Sequence, residues 1–176
     1  GITEPLRPAS RGTASSSAQR VVRLAVTDSQ RGDFLRRVRE LLDSQRVGVL
    51  GTRFEGAPHL SLVAFAASDD LREITFASPS ATRKVAAIRN DPCVSLLVDD
   101  RKNVGSDFDA GVALTVTGTA EPISAAESSA VVSRYLARHP GLAGFVASPS
   151  CRFFRIRVRR WSLVSRFQEV EELTLD

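Results

Sequence analysis

The 176-residue sequence has no methionine, one tryptophan, one tyrosine, two cysteines and two histidines. Each scarcity excludes something. His59, His139, Cys93 and Cys151 show neither CxxC nor Cys/His spacing, so a zinc centre has no ligand set. Both cysteines lie in apolar runs and read as buried, reduced thiols. One tryptophan and one tyrosine cannot build the stacking platform of a single-strand nucleic-acid binder. No apolar run has the length of a membrane span, and the first 27 residues lack the apolar core of a signal peptide; a cytoplasmic location is the default expectation. With no methionine anywhere, Gly1 is not expected to be the natural start. The sequence also lacks GxGxxG, Walker, GxSxG and HExxH patterns. Lysine is scarce too: Lys84 and Lys102 stand alone among 24 basic residues.

What is present is the composition of an ordinary globular protein, 43% hydrophobic and 25% charged, long enough for one domain with its own core. The formal charge of +4 gives little support to a nucleic-acid partner, because residues 1–30 hold four arginines against two acids and the rest is close to balanced. Residues 1–27, rich in Ser, Ala, Arg, Thr and Pro, read as a flexible N-terminal arm, with Val21, Val22, Leu24 and Val26 as a possible edge strand. Residues 28–176 read as the folded domain.

Periodicity divides that domain. A helix capped by Asp28 or Ser29 runs to about Arg46, with Phe34, Leu35, Val38, Leu41 and Leu42 on its apolar face. Strands follow at 47–54, 59–66 and 73–77, joined by turns at Glu55-Gly56-Ala57 and Asp69-Asp70. Short strands with tight turns indicate antiparallel β architecture, and Gly48 and Gly51 add the curvature of a small barrel. In the second strand, Leu60, Leu62 and Ala64 face one way and His59, Ser61, Val63 and Phe65 the other. Further strands are expected at 93–98, 112–120, 151–159 and from Trp161. A polar loop covers 99–109, and a helix capped by Ser124 covers 125–138 with Ala126, Val131, Val132, Tyr135 and Leu136 inward. His139 reads as a helix C-terminal residue meeting the dipole. In 151–159, Phe154, Ile156 and Val158 face the core, leaving Arg155, Arg157 and Arg159 on a solvated face or, alternatively, on a cationic wall.

The stretch 74–98 carries the chemistry. A strand, Ile74–Ala77, leads through Ser78-Pro79-Ser80 into a short helix with Ala81, Val85 and Ile88 in one stripe; Asn90-Asp91-Pro92 ends it and Cys93–Val98 is again a strand. Ser78, Ser80 and Thr82 place hydroxyls beside unpaired backbone N–H groups, and Arg83 and Lys84 put two cations in the first turn. Cations are disfavoured at a helix N-terminus unless an anion neutralises them, and a phosphate would.

Phe76-Ala77-Ser78, Thr82-Arg83-Lys84, Asn90-Asp91-Pro92 and Val94-Ser95-Leu96 together resemble the phosphate-binding segment of the pyridoxamine 5′-phosphate oxidase-like, FMN-binding split-barrel family. Weaker similarity runs over about 47–172. The resemblance implies an α+β, mainly β fold: a six- to seven-stranded antiparallel split barrel with flanking helices, forming a homodimer with FMN at the interface. It implies that Thr82, Arg83 and Lys84 hold the phosphate, and that His59, Ser61, Ala77 and Ser78, with the backbone of Leu62 and Val63, line the ribityl chain and ring. Arg101, Asn103 and Arg166 would approach from the partner subunit. The reaction implied is hydride or electron transfer to a small substrate. Val112-Ala113 stands where true pyridoxamine phosphate oxidases carry Arg-Gln, Arg166 replaces a glycine of the C-terminal Leu-Val-x-Gly-Phe-Gly pattern, and no Arg-x-His tail follows, so the chain reads as a relative and not as that oxidase proper. A haem-binding or haem-degrading barrel, a deazaflavin in place of FMN, and a non-enzymatic nucleic-acid-binding or flavin-storing dimer are the alternatives.

Overall fold

A computed structural model describes residues 21–23, 27–124, 126–166 and 169–175. Leu24 and Val26 of the possible edge strand, and most of the N-terminal arm, lie outside them. Eight strands form one sheet: β1 Val21–Arg23, β2 Val47–Phe54, β3 Ala57–Ala67, β4 Glu73–Pro79, β5 Cys93–Asp99, β6 Val112–Pro122, β7 Cys151–Ser165 and β8 Glu169–Thr174. Their order is β1-β8-β7-β4-β3-β2-β5-β6, and an additional β7–β6 pairing closes six of them, β2 to β7, into an antiparallel barrel. The barrel is the expected fold. Outside the ring, β8 joins β7 antiparallel and β1 joins β8 parallel.

The closed ring points every second side chain inward. Leu50, Phe65, Ile74, Phe76, Leu96, Leu114, Ile156, Trp161 and Leu163 are fully buried there, each contributing about 1.5–3 kcal/mol. Phe76 and Phe154, register partners on β4 and β7, stack at 5.4 Å. The first helix, α1 (Asp28–Ser44), adds Phe34, Val38, Leu41 and Leu42 to this core. Its N-cap is Thr27, whose hydroxyl accepts from the Gln30 N–H, one residue earlier than expected.

Two features depart further from the sequence expectation. The C-terminal strand does not break after Arg159; β7 is continuous for 15 residues. A register shift between Thr117 and Gly118 absorbs Arg159 as an extra residue, so Thr117 faces Arg160 and Gly118 faces Val158. This is a β-bulge, which interrupts the period-two pattern without ending the strand. A Cβ at Gly118 would stand 2.1 Å from the Arg157 carbonyl oxygen, so only glycine fits. Strand β8 then returns after a turn in which Arg166 has φ 47.

The helix after β6 begins later than expected, as α4 (Ser128–Arg138). Ser124 does not cap it: the Ser124 hydroxyl donates to the Glu127 carboxylate at 2.7 Å, and the Ser124 carbonyl accepts the Glu127 N–H. Of its expected inner residues only Tyr135 is buried; Ala126 is exposed and Leu136 half-buried. The polar loop 99–109 runs into a single helical turn, α3 (Asp107–Ala110). Cys93, expected buried, is exposed at the start of β5.

Candidate phosphate anchor and strand cleft

Strands β3 and β4 pair over only three positions, Phe65↔Phe76, Ala66↔Thr75 and Ala67↔Ile74. Continued, that register would set Ala64 opposite Ala77, and there the ladder stops. Beyond it β3 pairs with β2 alone and β4 with β7 alone. The barrel is therefore split, with His59, Ser61, Leu62 and Val63 on one bank and Ala77, Ser78 and the following helix on the other.

That helix, α2 (Arg83–Asn90), buries Val85, Ala87 and Ile88 and presents its N-terminus to the split. Thr82 is its N-cap residue, yet its side chain makes no capping bond, so the first-turn N–H groups keep their hydrogens for another acceptor. The Thr82 hydroxyl instead shares a 3.1 Å hydrogen bond with the buried Ser78 hydroxyl, and the Lys84 ammonium donates to the same Ser78 oxygen at 3.3 Å. Lys84 meets no carboxylate among the described residues, and burial alone pulls its ammonium below the usual lysine range. Arg83 is exposed beside it. Two hydroxyls, N–H groups left without a side-chain cap and two cations with no carboxylate partner among the described residues make a candidate site for a dianion.

Across the split, Ser61 and His59 lie within 3.4 Å of each other, and the His59 ring stands 6.2 Å from Phe54. Leu62 is 73% exposed. Its backbone is the informative part. The Ala64 carbonyl turns away from β2 to accept the Tyr135 hydroxyl at 3.3 Å. Alternation along an antiparallel strand then directs the Leu62 N–H and C=O into the split and spends those of Val63 on β2. Of the two backbone candidates, the geometry leaves Leu62.

The remaining predicted residues are not at this anchor within one protomer. Arg101 pairs with Asp99 at 3.0 Å, and Asn103 sits in a left-handed turn at φ 60, a conformation asparagine tolerates. Both line a separate cavity of about 580 Å3 with Leu97, Val104, Phe108 and Val164. Arg166 is exposed and pairs with Glu169 at 3.3 Å. Phe167 and Gln168 of the C-terminal pattern lie outside the described residues.

The β7 arginines divide: Arg157 and Arg159 stand on an exposed face, as the solvated reading expects, and Arg155 does not. Arg155, 14% exposed in its side chain, meets Glu121 at 2.9 Å, Glu127 at 2.6 Å and Glu73 at 3.5 Å. Arg157 meets Glu121 at 2.8 Å. The Ser124 hydroxyl, followed by Arg155, holds the Glu127 carboxyl down at about 2. His139 is buried and bonds the Phe65 carbonyl at 2.8 Å. A carbonyl only accepts, so Nε2 carries the proton. His139 is the C-cap residue of its helix, the C-terminal place expected for it, and burial lowers its pKa.

Tyr135 is the residue that sequence reasoning undervalued. It was legible as an inward helix position, but nothing local said where its hydroxyl would end. Burial pushes that hydroxyl up to about 12, and the Ala77 backbone on the β4 side acts weakly in the opposite direction.

Known proteins share this fold. Over 106 residues, 58% of this chain, the sequence is 31% identical to a chloroplast protein of Arabidopsis thaliana named non-canonical heme oxygenase HOZ; the match spans 32% of that protein's length. Among solved structures, a heme binding protein from Mycobacterium smegmatis superposes with TM-score 0.69 at 20% identity, covering 77% of this chain and 55% of its own. A FAD-binding protein from Mesorhizobium loti gives TM-score 0.59 at 21% identity, covering 73% and 90%. At these identities the two structures establish the shared fold alone. The sequence model described as pyridoxamine 5′-phosphate oxidase matches residues 34–165, well over half of the molecule, and the chain belongs to that family.

Proposed function

We propose that this protein binds FMN by its phosphate at the α2 N-terminus and works as an oxidoreductase. The observation that carries the reading is Lys84: a partly desolvated ammonium, aimed at the Ser78–Thr82 hydroxyl pair, without a carboxylate partner among the described residues. Desolvating a cation costs free energy that an arriving phosphate offsets. Thr82, Arg83, Lys84 and Ser78 bind the phosphate; His59, Ser61, Ala77 and the Leu62 backbone border the rest of the cofactor. A bound flavin supplies the hydride or electron transfer, and the protein's part is to orient it and exclude water.

The working unit in this proposal is a homodimer. The exposed large hydrophobics among the described residues are Val47, Leu60, Leu62, Val104 and Phe108. Register places Leu62 beside Val49 and Val49 beside Leu97, on one outward sheet face that continues to the cavity lined by Leu97, Val104 and Phe108. One contiguous apolar face of this kind is what a second copy covers. Arg101 and Asn103 stand on that side, so in a dimer they are the residues available to reach across to the partner's flavin.

Replacing both Arg83 and Lys84 with alanine is expected to weaken FMN binding by several kcal/mol, on the order of two to three charge-assisted bonds. Unchanged affinity in calorimetry removes the anchor assignment. A sedimenting monomer that still holds one FMN per chain removes the interface site.

The names of the Arabidopsis and Mycobacterium smegmatis proteins favour haem as the second reading. Its axial ligand would be His59, since the His139 ring nitrogen is committed to the Phe65 carbonyl inside the core. A deazaflavin phosphate would use the same anchor as FMN. Absorption spectra after adding FMN or haemin separate these: flavin bands that shift on binding support the first, and a Soret shift abolished by His59→Ala supports the second.

A further inference from the structure

The split between β3 and β4 has a specific cause in this chain. Continued by one position, the β3–β4 register would set Ala64 opposite Ala77, and a direct N–H···O=C bond between them would be the next rung of the ladder. In its place stands the hydroxyl of Tyr135, which donates to the Ala64 carbonyl at 3.3 Å, while the Ala77 side of the gap packs in the same small cluster as the tyrosine ring. An inserted oxygen, bonded to the Ala64 carbonyl, occupies the place of a rung, and the strands part at this point. The ring that delivers the hydroxyl is held on two sides. It packs edge-on against Phe153 at 5.2 Å and against His139 at 4.9 Å. Its surroundings are Ala66, Ala77 and Phe153, a small cluster on the opposite parity from the barrel core. Alanine at 64, 66 and 77 leaves room for the ring to reach the strand backbones.

Resting on the flavin reading above, we infer that Tyr135 is a positioning residue: its hydroxyl wedges β3 from β4 and sets the width of the cleft between the Leu62 backbone and Ser78. Without the oxygen, two unpaired backbone groups face each other across a closable gap. Pairing them directly is the available way to avoid leaving both unsatisfied. The ladder then advances one rung toward the anchor, and the two banks approach. A merely structural tyrosine would lower stability on losing its hydroxyl and leave the cleft unchanged.

The test is Tyr135→Phe in the full chain, with FMN as the probe and the backbone read by NMR. The wedge predicts that a through-hydrogen-bond coupling between the Ala77 nitrogen and the Ala64 carbonyl, absent in the parent, appears in the variant. It also predicts that FMN binds about tenfold or more weakly, as expected when the walls of a site move by an ångström or so. Parent-like FMN affinity in a folded Tyr135→Phe protein overturns the positioning role, and absence of the new coupling overturns the wedge. If the parent itself fails to bind FMN while the coupling still appears in the variant, the flavin reading falls and the wedge stands. Should Tyr135→Phe not fold, the parent decides. A slowly exchanging Tyr135 hydroxyl proton with an Overhauser contact to the Ala77 amide supports the wedge, and an Ala77 amide already coupled to the Ala64 carbonyl removes it.

Discussion

Two cation-rich regions of this molecule, the α2 N-terminus and the arginine run of β7, read alike in sequence and differ in their company. On β7, Arg155 is ringed by Glu73, Glu121 and Glu127, contributed by β4, by β6 and by the turn before α4. The Arg155 charge is consumed by the fold, although Arg159 and Arg160 on the same strand stay exposed. At α2, Lys84 finds hydroxyls and no carboxylate among the described residues. The comparison teaches that a cation is available for a ligand when the fold brings it no counter-ion, and that the density of basic residues along the chain says little about it.

The comparison can be broken first at the bulge that aims the β7 arginines. Gly118→Ala drives a Cβ into the Arg157 carbonyl oxygen, and the β6–β7 pairing has to shift. Loss of about 3 kcal/mol or more in urea denaturation is expected, and a stability within 1 kcal/mol of the parent, by the same rough scale, would show that the bulge is compliant.

The direct contrast comes next. Arg155→Met leaves three glutamates around an uncharged stem and should cost about 2 kcal/mol, discounted from the buried-pair range because the glutamates are partly exposed. It should leave FMN affinity unchanged. Lys84→Met should do the reverse, leaving the ligand-free stability equal or slightly higher while weakening FMN by about one charge-assisted bond, 1.5–3 kcal/mol. Calorimetric titration and denaturation of both variants decide the matter, and an exchange of these outcomes would dissolve the distinction.

His139 extends the rule to a group kept neutral. The charged neighbours that bear on it are Arg138 and Arg46, both cationic, and burial lowers its pKa first. A histidine whose folded pKa is depressed contributes stability above its unfolded value, about 6.5, and loses it as pH falls through the folded pKa, because the unfolded chain takes up the proton sooner. Stability of the parent should therefore decline below about pH 6.5, and His139→Gln, which can still donate to the Phe65 carbonyl, should flatten that decline. An unchanged pH profile in the variant would assign the decline to other groups.

The smallest effect sharpens the reading of Arg166. Its φ of 47 is a left-handed conformation that glycine adopts freely, at the position where the related C-terminal pattern carries glycine. Arg166→Gly should raise stability by up to about 1 kcal/mol, since the exposed pair with Glu169 contributes little. A loss of FMN affinity in the same variant would show that Arg166 serves the ligand and tolerates the strain for that purpose.

Local physics was enough for much of this. The Glu55-Gly56 turn, the strand Val47–Phe54 and the inward alternation of Phe154, Ile156 and Val158 were legible because turn chemistry and period-two burial are properties of neighbouring residues. The candidate anchor at Thr82, Arg83 and Lys84 was proposed from the same local signals: a hydroxyl, a helix start and two cations lie within one turn. The bulge was not, because one extra residue in a strand looks like the end of a strand. Strand β8 was missed because its Glu169-Val-Glu-Glu-Leu-Thr174 run is acidic, and only the barrel wall and the Arg37–Glu171 pair at 2.5 Å give those residues a place.

The sequence by itself determined a curved antiparallel barrel and a candidate phosphate anchor, since both depend on side chains a few positions apart. Only the tertiary structure decided which cations remained free, which histidine was buried, and where β3 leaves β4. Those outcomes rest on Glu121 meeting Arg155, Phe65 meeting His139 and Tyr135 entering between Ala64 and Ala77, contacts between residues distant along the chain whose energies appear only once the fold has brought them together.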